Sequence, residues 1–140
     1  MHLTLLRHGL AATLSTTGDF ARELETRGWD QARAAAFALQ QSGLPLPDRI
    51  LCSPAMRTRQ TAARVMQELA LDEALLQLDQ RLYLASAETL LEVVGEQRDP
   101  RHLLLVGHNP GLSELALRLG GALRSGELAT GELCLLPQNP

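Results

Sequence analysis

Aromatic side chains are scarce in this chain: one tryptophan, one tyrosine and two phenylalanines among 140 residues. The core must therefore be assembled from leucine, alanine and valine. Cysteine is as sparse. Cys52 and Cys134 form no metal-ligand spacing, and two cysteines are too few for a disulfide framework. No apolar run approaches the roughly 20 residues of a membrane span. A net charge of -3 provides no global basic field to attract nucleic acid or anionic lipid. The start, Met1-His2-Leu3, carries neither the basic region nor the cleavage site of a secretory signal. The expectation is a reduced, cytoplasmic protein that binds neither nucleic acid nor membrane. Its length fits one domain, residues 1–140, burying roughly two-thirds of the unfolded surface.

What is present is an alternation of strand and helix patterns. Strands are predicted near 2–7, 49–52, 75–79, 102–107 and 132–136, and helices near 28–42, 54–70, 87–97 and 110–119. In the second helix Ala62, Val65, Met66 and Leu69 recur at i, i+3, i+4 and i+7, and Leu112, Leu115, Ala116 and Leu119 repeat that spacing in the fourth. Trp29, Ala32, Ala36 and Leu39 share a face of the first. Such alternation with short connections predicts a layered α/β sheet. Residues 10–21 show no periodicity and read as a mobile loop over a crevice. Ser53-Pro54 and Asn109-Pro110 each pair an N-cap residue with a proline at the first helical position.

Two apolar strands end on histidines. Leu3-Thr4-Leu5-Leu6 leads into Arg7-His8-Gly9, and Leu103-Leu104-Leu105-Val106-Gly107 leads into His108-Asn109-Pro110. Continuous apolar strands belong to buried parallel sheets, whose ligands bind beyond the carboxyl ends of the strands. Both histidines thus point to one edge. Helix N-termini opening at that edge favour an anion. Arg7 and Arg57 can grip phosphate oxygens through guanidinium forks, and His108, if protonated, adds a further positive donor. His8 would face the phosphorus as a nucleophile, with its other ring nitrogen tied to an acceptor. Gly9 leaves room for a close backbone approach and a tight turn, and is expected among the substrate-binding residues. The implied reaction runs through a covalent phosphohistidine that water hydrolyses, with catalysis from positioning and positive groups. No metal or other cofactor is called for. Arg57 has an alternative as a solvated helix residue, like Arg59 and Arg64. His2 and His102 begin strands at the opposite edge and read as structural or exposed.

These residues resemble the histidine phosphatase superfamily, whose mark is Arg-His-Gly at the end of the first strand. Ser53-Pro54-Ala55-Met56-Arg57-Thr58-Arg59-Gln60-Thr61 is similar to its Ser-Pro-x-x-Arg-x-x-Gln-Thr helix, and Gly107-His108-Asn109-Pro110 to its second-histidine motif. Arg22-Glu23-Leu24 with Gly28 resembles a segment of the SixA-type phosphohistidine phosphatases, and Thr130-Gly131 the Thr-Gly before their late strand. The resemblance implies an α/β fold of phosphoglycerate mutase-like type, a three-layer α/β/α sandwich. Its central sheet would be mainly parallel, with one antiparallel strand near the C-terminus. It implies His8 as nucleophile, Arg7, Arg57 and His108 completing the phosphate pocket, and Arg22 contacting substrate at its mouth.

The departures bear on substrate. Leu10 stands where many relatives place an acid after Arg-His-Gly, and Glu25 stands where the pattern expects Thr. The chain stops at Pro140, early for a fold that usually adds an edge strand. Alcohol leaving groups usually need a general acid, whereas imidazole, with a pKa near 6.5, leaves with much less help (~6.5). A site without an obvious acid suits phosphohistidine better than phosphate monoesters. Glu88, at the start of the third helix, is the best remaining candidate acid, with Glu25 behind it. The resemblance to the family implies a phosphorylated protein as substrate, a histidine-phosphotransfer domain or a phosphocarrier. The alternatives are a broad-specificity small-molecule phosphomonoesterase and a non-catalytic phosphate- or phosphoprotein-binding module.

Overall fold

A computed structural model describes residues 1–137. The short terminal stretch ending at Pro140, on which the question of a further edge strand bears, lies outside the described residues. Five strands form one sheet: β1 (His2–Arg7), β2 (Arg49–Cys52), β3 (Leu76–Leu78), β4 (His102–Gly107) and β5 (Leu133–Leu135). Their spatial order is β3-β2-β4-β1-β5. All pairs are parallel except β1 with β5, which run antiparallel. Helices α1 (Thr26–Gln41), α2 (Met56–Glu68), α3 (Ala87–Gly95) and α4 (Gly111–Arg118) connect them.

The strand side chains alternate between faces, as the pleat requires. Leu103 and Leu105 pack with Leu90, Val93, Leu112 and Leu115 on the α3–α4 side. Leu104 and Val106 pack with Ala32, Ala36, Ala62 and Val65 on the α1–α2 side. Both faces of β4 are thereby covered, and all six of its residues are buried. The result is the three-layer α/β/α sandwich. With so few aromatics the interior is leucine and alanine, and the three alanines Ala32, Ala35 and Ala36 bury one face of α1. Trp29, expected on that face, is only half-buried. Among the described residues no helix is long and apolar enough to cross a membrane.

Helix starts differ from expectation in one informative way. α2 begins at Met56 with Ala55 as its cap, and α4 at Gly111 with Pro110 as its cap. Ser53 lies two residues outside the cap position, and its side chain is drawn into the site. Three short 3-10 turns, at Asp19–Ala21, Glu73–Leu75 and Gln80–Leu82, went unpredicted because three residues carry no measurable periodicity.

Candidate active site

Arg7, the last residue of β1, pairs in register with Gly107, the last residue of β4. The next residue on each strand, His8 and His108, therefore leaves the sheet beside its counterpart. Their ring centroids lie 5.5 Å apart although the sequence separates them widely. β2 ends next to β4, which brings Ser53 and the first turn of α2 to the same edge.

His8 is buried, and its Nδ1 lies 2.7 Å from the Gly9 carbonyl oxygen. A carbonyl only accepts, so Nδ1 carries the proton and Nε2 keeps its lone pair. Burial pushes the ring's pKa down to about 4. The Gly9 hydrogen bond opposes this, and the Arg57 and Arg7 guanidiniums reinforce it. At neutral pH His8 is uncharged, with a free ring nitrogen.

Gly9 itself does not line the cleft. Its amide donates to Thr61 Oγ1 at 3.0 Å, and the Thr61 hydroxyl donates to the Arg57 carbonyl at 2.8 Å. A Cβ on Gly9 would come within 2.5 Å of the Gly28 carbonyl oxygen. The structure thus places it as the close-packed residue that orients His8, where the sequence pattern had put it against substrate. On the other side of the loop, the Gly131 amide donates to the Arg7 and His8 carbonyls from a left-handed backbone, φ 71°, that only glycine adopts readily.

Arg57 is only 2% exposed and uses both terminal nitrogens. Nη1 donates to the Asp19 carbonyl at 2.8 Å. Nη2 donates to Asp19 Oδ2 at 3.1 Å and to His108 Nδ1 at 3.3 Å. A guanidinium only donates, so His108 Nδ1 is unprotonated and its Nε2–H donates to Ser53 Oγ at 2.8 Å. The condition that His108 be protonated is not met in this arrangement. Burial, then Arg57 and His8, push its pKa down to about 3.

Arg7 donates to the Leu128 carbonyl at 3.0 Å, and burial lowers its pKa without discharging it. Arg22 donates through Nε to Asp19 Oδ1 at 3.1 Å and through Nη1 to the Ala12 carbonyl at 2.9 Å. Together Arg7, His8, Asp19, Arg22, Arg57 and His108 line a cleft of about 350 Å³ at the carboxyl edge of the sheet. Residues 10–21 do pass over this crevice, contributing Leu10, Ala11, Thr13 and Asp19 to its wall. Among the described residues no group of three or more His, Cys, Asp or Glu is placed to hold a metal ion.

Neither expected acid belongs to the cleft. The Glu88 carboxylate is exposed and accepts from Arg118 Nη2 at 2.6 Å, which lowers its pKa. Glu25 is an exposed residue capping α1. The carboxylate the sequence pattern missed is Asp19, whose pKa is down to about 2. A hydrogen bond from Tyr83 is the main cause, assisted by Arg57 and Arg22 against the effect of burial. Tyr83 was missed as well. Its ring meets His108 edge-on at 5.5 Å and stacks on Phe20 at 5.0 Å. An acid three residues before Arg22 was the one available signal for Asp19, and it sits in a stretch without periodicity. Gln60 explains the glutamine of the α2 motif: its Oε1 accepts from the Leu24 amide at 2.7 Å, pinning the segment that carries Arg22.

Paired histidines at adjacent strand ends, ringed by three arginines, define a phosphate-handling enzyme on an α/β/α fold. The chain belongs to the histidine phosphatase superfamily, whose branch 1 sequence profile matches residues 3–83. Its activity class is that of a phosphatase, and within the superfamily it is of the SixA type. It is 36% identical over 115 residues to the uncharacterized protein Rv1276c of Mycobacterium tuberculosis, spanning 81% of this chain and 69% of that one. The structure of the candidate phosphohistidine phosphatase SixA from Agrobacterium tumefaciens superposes with a TM-score of 0.74 at 30% identity. That match covers 84% of this chain and 75% of the other. The corresponding SixA candidate from Nakamurella multipartita gives 0.72 at 33% identity, covering 84% of this chain and 64% of that one.

Proposed function

We propose that this protein removes the phosphoryl group from phosphohistidine on another protein, with His8 as the nucleophile. The observation that carries this reading is the state of His8: neutral, its Nδ1 committed to the Gly9 carbonyl, and surrounded by Arg7, Arg57 and His108. The His8 Nε2 lone pair forms a bond to phosphorus while the substrate's P–N bond breaks. The electron pair of that bond goes to the departing ring nitrogen. With a proton already on its second nitrogen, the ring leaves as neutral imidazole. Water then attacks the phosphorylated His8, the pair of its P–N bond returns to Nε2, and both water hydrogens leave with the phosphate.

Arg7, Arg22 and Arg57 would carry the charge on the phosphoryl oxygens. A phosphoryl anion beside His108 favours the imidazolium, so Nδ1 turns from acceptor to donor as substrate enters. A protein-borne substrate fits the mouth, where Leu84 on the cleft wall and Phe20 beside Asp19 are both exposed. The likeness to the two SixA candidates points the same way. The partner would be a histidine-phosphotransfer domain or a phosphocarrier protein, and the site of action the cytoplasm.

The test is phosphate release from a histidine-phosphorylated carrier domain, measured beside p-nitrophenyl phosphate, for the wild type and His8→Ala. Release from the protein that is fast and depends on His8, with slow ester turnover, supports the proposal. Ester turnover equal to or faster than release from the protein would replace it with a small-molecule phosphomonoesterase.

A further inference from the structure

Asp19 is the sole carboxylate on the cleft wall among the described residues, and it is held from four directions. Its carbonyl and Oδ2 accept from the two terminal nitrogens of Arg57, its Oδ1 accepts from Arg22 Nε, and Tyr83 donates its hydroxyl to Oδ2. Phe20, the next residue, stacks on Tyr83. The carboxylate is 47% exposed while His8 is buried, so of these two groups lining the cleft Asp19 lies on the solvent side. Attack by His8 in line with the departing bond directs the leaving group outward, toward the mouth. A partner protein cannot enter a cleft of about 350 Å³, which imposes the same orientation.

We propose that Asp19 selects the leaving group, favouring phosphoramidates whose departing ring carries a proton, such as protonated phosphohistidine, over phosphate esters. This rests on the phosphohistidine reading above and adds to it a residue that decides between substrate classes. The chemistry works in both directions. Incoming phosphoryl oxygens compete with Asp19 for Arg57, leaving a carboxylate still held by Tyr83 and Arg22 beside the scissile bond. Its negative charge stabilises an imidazolium ring there, and that retained proton lets the P–N bond break to neutral imidazole with no further proton donor. A phosphate ester gains nothing from the same charge. Its P–O bond would break to an oxyanion, which an ionised Asp19 repels and cannot protonate.

The experiment compares kcat/KM for free phosphohistidine and for p-nitrophenyl phosphate in the wild type, Asp19→Asn and Asp19→Glu. The ratio of the two substrates on one preparation does not depend on the fraction folded. Asn keeps the size and loses the charge. We expect it to lower kcat/KM on phosphohistidine about tenfold, the factor for roughly 1.4 kcal/mol. On the ester, KM should fall severalfold as Arg57 is released. Glu should restore the preference in part. If both substrates change in the same direction by the same factor, Asp19 merely shapes Arg57 and the proposal is overturned. A wild type that hydrolyses the ester but neither free phosphohistidine nor the phosphorylated carrier domain overturns the substrate reading instead, and is recognised before any variant is compared.

Discussion

The sheet carries a pair of histidines at each end of β1 and β4. At the amino end His2 and His102 are in register, with ring centroids 6.0 Å apart; at the carboxyl end His8 and His108 are 5.5 Å apart. His102 is as buried as His108, and both of its ring nitrogens are also hydrogen-bonded, Nδ1 to the Pro45 carbonyl and Nε2 to Thr4 Oγ1, each at 2.7 Å. What separates the two ends is the company. Around His102 the partners are a hydroxyl and a carbonyl, with the Asp48 carboxylate accepting from the backbone amides of Arg101 and His102. Around His8 and His108 three arginines converge on an open cleft. A histidine at a strand end becomes a reactive group when a free ring nitrogen faces a space able to hold an anion. When both nitrogens are committed to neutral partners inside the core, it is a packing residue.

The comparison is broken most sharply by truncating one histidine at each end. His8→Ala should reduce turnover by on the order of 10³-fold or more, with little change in melting temperature. His102→Ala should leave turnover per folded molecule intact. Residual His8→Ala activity near that of the wild type would remove the nucleophile. Arg57→Ala is expected to cost on the order of 10²- to 10³-fold in kcat/KM, since it takes away the buried cation shared by Asp19 and His108. Vanadate affinity should fall with it, and retained affinity would place the phosphate elsewhere. On the stability side, His102→Ala strands Thr4 Oγ1 in the core and takes the partner from the half-buried Pro45 carbonyl, a loss of about 2–3 kcal/mol by chemical denaturation.

Acidification tests both ends together. His8, His102 and His108 all have pKa values held below the ordinary 6.5, in each case first by burial. Their unfolded counterparts take up protons below about pH 6.5 while the folded ones stay neutral, so stability is whole above that pH and is lost as pH falls toward 4. The slope approaches about 1.4 kcal/mol per pH unit for each of His8 and His108, and His102 adds to it in the same direction. Urea midpoints from pH 7.5 to 5 should decline, and less steeply in His102→Ala. A flat profile would mean the rings are not neutral in the fold. The smallest effect is expected of Glu88→Gln: turnover within twofold and no resolvable shift of the urea midpoint, because Glu88 and its partner Arg118 are both surface residues. A large loss of activity would return Glu88 to the site.

Fold and site were not equally legible in the sequence. The continuous apolar runs of β1 and β4 marked buried parallel strands, and the i, i+3, i+4 spacings of α2 and α4 marked their inward faces. Arg7, His8, Arg22, Arg57 and His108 stand on the cleft wall where the motifs placed them. The third layer of the site stayed hidden. Ser-Pro is a common helix start and marks Ser53 as a helix cap, yet its hydroxyl accepts a hydrogen bond from His108 Nε2. Glu88 was chosen as an acid for lack of another, while Asp19 lay in a stretch with no pattern to rank it.

The order of strands and helices, the faces that pack, and the edge at which two histidines emerge all follow from the sequence itself. Each rests on a local period of apolar residues, which depends on neighbours a few positions away. The tertiary structure alone decided which nitrogen of each histidine bears the proton, that His108 is neutral beside Arg57, and that Asp19 rather than Glu88 faces the cleft. Those outcomes depend on hydrogen bonds between residues far apart in the chain: Arg57 with Asp19, His108 with Ser53, Tyr83 with Asp19. Such partners are set by which loops converge above the sheet, and no local period records that convergence.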